Sequence, residues 1–148
     1  MRGVLNAALL LGLLGCAPGD FSYSKKIDGP YRVMAVDDLA SMSLCYEVAD
    51  GCYERVGPTV TAVGWNAAYI VVARTAGANS DASEYFYINR AADRPDLTPP
   101  AEVLAGPFSA DQFAVDRGRL GLPPLMRDVP FIYCSDKPRC ATWRDIIR

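Results

Sequence analysis

The chain reads as an α+β domain dominated by β-structure: an antiparallel meander of about five strands, one C-terminal amphipathic helix and a disulfide-stapled tail. Three observations predict this. Runs dense in Val, Ile, Thr, Tyr and Phe recur at 59–65 (TVTAVGW), 69–74 (YIVVAR) and 84–90 (EYFYINR), the residues that fit a pleated, half-buried surface. Ser109 with Gln112 three residues on opens the segment ADQFAVDRGRL in a capping-box pattern. Four cysteines fall in two closely spaced pairs, Cys45 with Cys52 and Cys134 with Cys140.

Residues 1–15 are predicted to lie outside that domain. Arg2 supplies a positive start, an apolar run follows from Val4 to Leu14, and Leu13, Leu14, Gly15 and Cys16 close the segment, which is the layout of a secretory signal. The run is shorter than the about 20 apolar residues that a membrane-spanning helix needs. Those last four residues resemble a bacterial lipobox. The resemblance implies diacylation of the Cys16 thiol, cleavage between Gly15 and Cys16, and acylation of the new amino group, so the lipid bilayer is the first partner. More than one acyl chain makes such anchoring stable, each buried CH₂ contributing about 0.8 kcal/mol. An ordinary cleaved signal with an accidental cysteine is the competing reading. Ala17, where an Asp would favour the inner membrane in the sorting rule of enteric bacteria, implies an outer-membrane address facing the periplasm. Residues 16–29 (CAPGDFSYSKKIDG) read as the lipidated cysteine and a polar tether, in which Lys25 and Lys26 are a solvated pair or a contact for anionic headgroups. Residues 30–148 read as a single globular domain.

Removing 1–15 takes Arg2 away and leaves 14 basic against 17 acidic side chains. This mild negative balance lacks the basic stripe of a nucleic-acid binder, so no nucleic-acid partner is expected. With Cys16 set aside, four cysteines in an oxidising compartment read as disulfides. Three connectivities are open to Cys45, Cys52, Cys134 and Cys140, and two local bridges are preferred. Zinc is the sharper alternative. The chain has no histidine, and neither pair has the Cys-x₂-Cys knuckle spacing, so no metal and no cofactor is implied.

Within the domain, 31–37 (YRVMAVD) alternates as a first strand, with Val33 and Ala35 on one side. Segment 43–48 (SLCYEV) follows with Leu44, Tyr46 and Val48 on one face. Asp50 and Gly51 turn the chain into 52–56, and Gly57 and Pro58 end that run. In 59–65, Ala62 and Gly64 are expected to share a face with Val60 and leave room for Tyr85 and Tyr87. Residues 66–68 make a short hairpin, and 75–83 (TAGANSDAS) a longer loop. Segment 91–106, with three prolines, reads as a connection across the surface. The helix, about 110–120, is expected to offer Ala110, Phe113, Ala114 and Leu120 to the sheet. Phe108 and Phe113 fit a hydrophobic staple, and Gly121 stops the helix. Beyond it lie an apolar stretch, 129–133 (VPFIY), the cysteine loop 134–140 (CSDKPRC) and a final ATWRDIIR.

The runs GPTVTAVGWNAAYIVVAR, EYFYINR and GPFSADQFAVDRGRLGLP resemble a family of small, uncharacterised bacterial lipoproteins that share a strand pair, a tyrosine-rich strand and a helix of this kind. The resemblance covers about residues 31–123 and leaves out the 134–140 loop. It supports the fold and the anchor and implies no activity.

Catalytic signatures are sparse. Histidine, the commonest general base, is absent, and no nucleophile elbow, phosphate loop or dinucleotide fingerprint occurs. Asp37 with Asp38, or Glu47 with Glu54, are the available carboxylate pairs, and a turn signal is the plainer reading of the first. The expected function is therefore a membrane-anchored envelope lipoprotein acting as a non-catalytic binding or accessory module. An inhibitor or immunity-type lipoprotein that blocks a hydrolase or toxin is the second reading, and a small carboxylate-dependent enzyme the third. The candidate partner-binding residues are Asp136, Lys137 and Arg139 at the tip of the cysteine loop, and Tyr85 and Tyr87 as an aromatic platform. Packing is the competing role for both tyrosines.

Overall fold

The computed structural model describes residues 22–126, apart from 38, 78, 79, 97 and 100. Among them, eight strands form two four-stranded antiparallel meanders. The first sheet holds β1 (Ser22–Asp28), β2 (Tyr31–Val36), β3 (Ser43–Val48) and β4 (Gly51–Val56); the second holds β5 (Val60–Trp65), β6 (Tyr69–Thr75), β7 (Ser83–Asn89) and β8 (Leu104–Phe108). Helix α1 (Ala110–Leu120) follows. The β-dominated class with one helix agrees with the sequence, but the strands are more numerous than the five expected.

Two of the additional strands come from segments read as linkers. The first, SYSKKID, carries two lysines in the stretch expected to be a tether, yet Tyr23 and Ile27 pack against the core while Ser24 and Lys26 face out. Lysine suits an edge strand, where it discourages pairing with another chain. The second, LAGPF, is weak in β-propensity because of its Ala, Gly and Pro, and it pairs with β7 in an irregular register. Pro107 is tolerated there because β8 is also an edge. The connection before it is not confined to the surface either, since Asp93 and Val103 are both buried.

One core joins the two sheets. Tyr31, Val33 and Ala35 of β2, Leu44 of β3 and Val56 of β4 meet Val60, Val63, Ile70, Val72, Phe86 and Ile88 of the second sheet. Alternation then sends Val71, Tyr69, Tyr85 and Tyr87 to the opposite face of that sheet, against Phe113, Leu120 and Leu122. A sheet covered on both faces needs apolar residues on both, which is why YIVVAR reads as a nearly unbroken hydrophobic run.

A register shift between Val60 and Ala62 divides the faces of β5 differently from simple alternation. Val60 points into the shared core, and Ala62 and Gly64, opposite Ala73 and Val71, lie on the helix side. The expectation that all three share a face is therefore corrected. The space beside Gly64 is taken by backbone and not by Tyr85 or Tyr87: a Cβ there would lie 2.0 Å from the carbonyl oxygen of Pro124.

The helix begins and ends as its sequence dictates. Ser109 Oγ accepts from the Gln112 amide, Gln112 Oε1 accepts from the Ser109 amide, and Gly121 closes the helix at φ 66°. Its faces are less regular than expected. Phe113 is buried, Ala110 and Ala114 are exposed, and Asp116 is half-buried beside Tyr87.

Cys45 and Cys52 are bonded across the β3–β4 hairpin, with Cα atoms 5.6 Å apart. Next to this hairpin is the most costly polar feature of the core, the ion pair of Arg55 with Asp93. Their side chains are 0% and 1% exposed, and Nη2 stands 3.0 Å from Oδ1. Arg55 Nε donates to both carboxylate oxygens at 3.1 Å, and Nη1 and Nη2 donate to the carbonyls of Asp96 and Arg94. The Tyr31 hydroxyl donates to Asp93 Oδ2 at 2.9 Å, and Arg55 also lies over the Tyr46 ring, 5.1 Å from its centre. Each nitrogen of the fork meets an acceptor, so the charges are buried without being orphaned.

This network gives two expectations. Asp93→Ala leaves the Arg55 guanidinium buried and uncompensated, and should lower stability by about 3–5 kcal/mol in urea denaturation. Burial first, and then the hydrogen bond to Asp93, push the Tyr31 hydroxyl well above its ordinary value of 10.0. The folded state therefore holds this proton more tightly than the unfolded chain. Its contribution is complete below about pH 10 and is lost as pH rises beyond that. Urea midpoints followed from pH 8 upward should fall above pH 10 more steeply for the wild-type protein than for Tyr31→Phe.

Candidate functional site

The described residues place one candidate surface, on the helix side of the second sheet. β7 carries Tyr85 and Tyr87 to it because residues at spacing two share a face. Tyr85 stacks on Phe113 at 5.1 Å between ring centres, Tyr87 stacks on Phe108 at 5.6 Å, and Tyr69 meets Tyr87 edge-on at 6.0 Å. These rings form a packed layer under α1. The Tyr87 hydroxyl makes a long contact of 3.5 Å with Asp116 Oδ2. Burial first, and the Asp116 charge second, raise this hydroxyl above its ordinary value.

Beside this layer is an open groove of about 500 Å³. Tyr85 and Phe113 contribute its aromatic lining, Ala110, Ala114 and Gly118 the helix side, and Leu122 and Leu125 the segment that follows; Arg117 is the cation among the lining residues. The segment after the helix is held closely. The Leu122 amide donates to the Arg117 carbonyl, the Met126 amide donates to the Val63 carbonyl at 3.1 Å, and Asn66 Nδ2 donates to the Gly121 carbonyl. The lining is mainly apolar, and Arg117 is its one charged residue.

The other predicted positions divide in two. Cys45 and Cys52 are joined to each other. Cys16, Cys134, Cys140, Asp136, Lys137 and Arg139 lie outside the described residues, as does Asp38. Asp37 follows β2 at φ 72°, in a conformation of the turn type. Glu47 is engaged by Arg32 at 2.7 Å, and it stands opposite Cys52 while Glu54 stands opposite Cys45, so the two carboxylates sit on neighbouring strands of one sheet. Among the described residues, no three side chains of metal-ligating type come together.

Sequence reasoning missed Arg55 and Asp93. Nothing local marks either one, because each sits among charged neighbours, Glu54 and Arg94, in a segment that reads as exposed. It also missed the groove, whose Ala110 and Ala114 were expected to face the sheet.

No protein family, no curated protein and no solved structure matches this chain.

The close approach at Gly64 is testable. Gly64→Ala sets a methyl against the Pro124 backbone and must push the 122–126 segment outward, at a cost of about 1–3 kcal/mol in thermal or urea unfolding. Gly51→Ala, where a Cβ meets nothing within 4 Å, is the control and should stay within about 0.5 kcal/mol of the wild type.

Proposed function

We propose that this chain is a lipid-anchored lipoprotein of the bacterial cell envelope whose folded domain works as a non-catalytic binding or accessory module. The observation that carries the reading is the sequence Leu13-Leu14-Gly15-Cys16 at the end of an apolar run. Likeness of the 57–123 runs to small bacterial lipoproteins supports it, and the outer membrane facing the periplasm follows from Ala17. A chain without histidine supports a binding role over a catalytic one.

The position of β1 sharpens this reading. Only five residues separate Cys16 from Ser22, so the tether is shorter than 16–29 and spans at most about 20 Å when extended. An acylated Cys16 therefore keeps the domain close to the headgroups, where a small module meets other envelope proteins.

The assay is incorporation of radiolabelled palmitate. Wild-type protein should take up label and fractionate with membranes. Cys16→Ala should do neither, with an unchanged melting temperature, because the acylated residue precedes the first strand. Unlabelled wild-type protein in the soluble periplasmic fraction would refute the anchor. Capture from detergent-solubilised membranes then reads the partner: a resident envelope protein supports the accessory role, and an exogenous hydrolase or toxin supports the inhibitor role.

A further inference from the structure

Two Asp-Gly pairs occur in the chain, Asp28 with Gly29 and Asp50 with Gly51. In this dipeptide the side-chain carboxyl is open to attack by the next amide nitrogen, because glycine has no Cβ to hinder the approach and permits the backbone turn that it needs. Each pair lies at a hairpin of the first sheet, and the fold puts the two in opposite circumstances.

Asp28 is tied down. Its Oδ2 stands 2.5 Å from Arg90 Nη2, and that guanidinium is itself fixed, donating to the Asn66 carbonyl and lying 5.8 Å from the centre of the Tyr31 ring. Gly29 packs against the same group, since a Cβ there would lie 3.2 Å from Arg90 Nη2. The carboxyl must leave Arg90 before it can meet the Gly29 nitrogen. Asp50 has no such hold. Both Asp50 and Gly51 are exposed, and Asp50 makes no hydrogen bond or ion pair with the described residues. A Cβ on Gly51 would meet nothing within 4 Å. Gly51 also forms the last pair of the β3–β4 ladder, with Val48, where local opening costs least. Cys52, the next residue, is bonded to Cys45, so the flanking strands stay joined when the turn changes.

We propose that Asp50 with Gly51 is a site of spontaneous isoaspartate formation in the folded chain, and that Arg90 protects Asp28 with Gly29 from the same reaction. The Gly51 nitrogen bonds to Asp50 Cγ, and water leaves with one carboxyl oxygen and the amide proton. The succinimide then takes water back. Addition at Cγ restores aspartate, whereas addition at the α-carbonyl carbon leaves the main chain running through Cβ and Cγ with a free α-carboxylate beside it. No atom is gained or lost overall, and nothing is oxidised or reduced. The product belongs to the class of substrate whose α-carboxylate is esterified by S-adenosylmethionine-dependent carboxyl methyltransferases. The inference stands apart from the anchor and from the partner.

Trypsin separates the two pairs into peptides 27–32 and 33–55. The folded full chain is held near neutral pH, and isoaspartate is located by electron-transfer fragmentation and by methyl transfer from labelled S-adenosylmethionine. It should accumulate at Asp50 about tenfold faster than at Asp28, and in guanidinium chloride with the bridge reduced the two rates should come within about twofold of each other. Gly51→Ala, whose Cβ has open space, should slow the Asp50 reaction about tenfold in a chain that remains folded. Equal rates in the folded chain, or isoaspartate chiefly at Asp28 or Asp37, would overturn the proposal. So would a difference that persists undiminished in guanidinium chloride, because local sequence and not Arg90 would then set it, or an Asp50 rate that Gly51→Ala leaves unchanged.

Discussion

Strands β6 and β7 send Ile70, Val72, Phe86 and Ile88 toward the first sheet, and Val71, Tyr85 and Tyr87 toward the helix. Neither face of the second sheet can then be left to water. The first sheet must cover one side, and α1 with the segment after it must cover the other. A single sheet with one solvated face would have needed polar residues at alternate positions. The order of the chain suits this demand, since each sheet is a plain meander whose neighbours in sequence are neighbours in space. The two are joined at the Gly57–Pro58 corner, where the Val60 amide donates to the Met42 carbonyl.

Burial of that extent has to accommodate the long connection between β7 and β8, and the Arg55 network is how it does so. Asp93 is drawn into the core from a segment with little regular structure. Its carboxylate is met by Arg55 and the Tyr31 hydroxyl, and the Arg55 fork in turn binds the carbonyls of residues 94 and 96. Hydrophobic residues of the same volume would give comparable stability. What the ion pair adds is direction: a planar fork with fixed donors accepts one placement of the connection, where apolar contacts would accept several.

The helix side carries the opposite character. Its aromatic layer is well packed, but the helix above it is short and its row of small residues is uncovered. The polar edge strand β1, with Lys25 and Lys26, discourages pairing with another chain, whereas Ala110, Ala114 and Gly118 line an open groove.

The sequence alone determined the features that depend on a few adjacent residues. The runs that became β2 to β7 were legible from β-branched and aromatic content and from their turns. The helix limits were legible from Ser109, Gln112 and Gly121, and the Cys45–Cys52 bridge from a spacing that fits a hairpin. Tyr85 and Tyr87 were legible as residues of one face, though not as the layer beneath α1. Tertiary structure decided the rest. SYSKKID and LAGPF are strands because β2 and β7 offer them free edges, and no local preference would place them there. One irregular pairing at Val60 and Ala62 turned Gly64 toward Pro124, and the meeting of Arg55 with Asp93 closes a separation of 38 residues. Such contacts are set by which surfaces remain unpaired after the core has formed, and that is a property of the assembled chain and of no single segment in it.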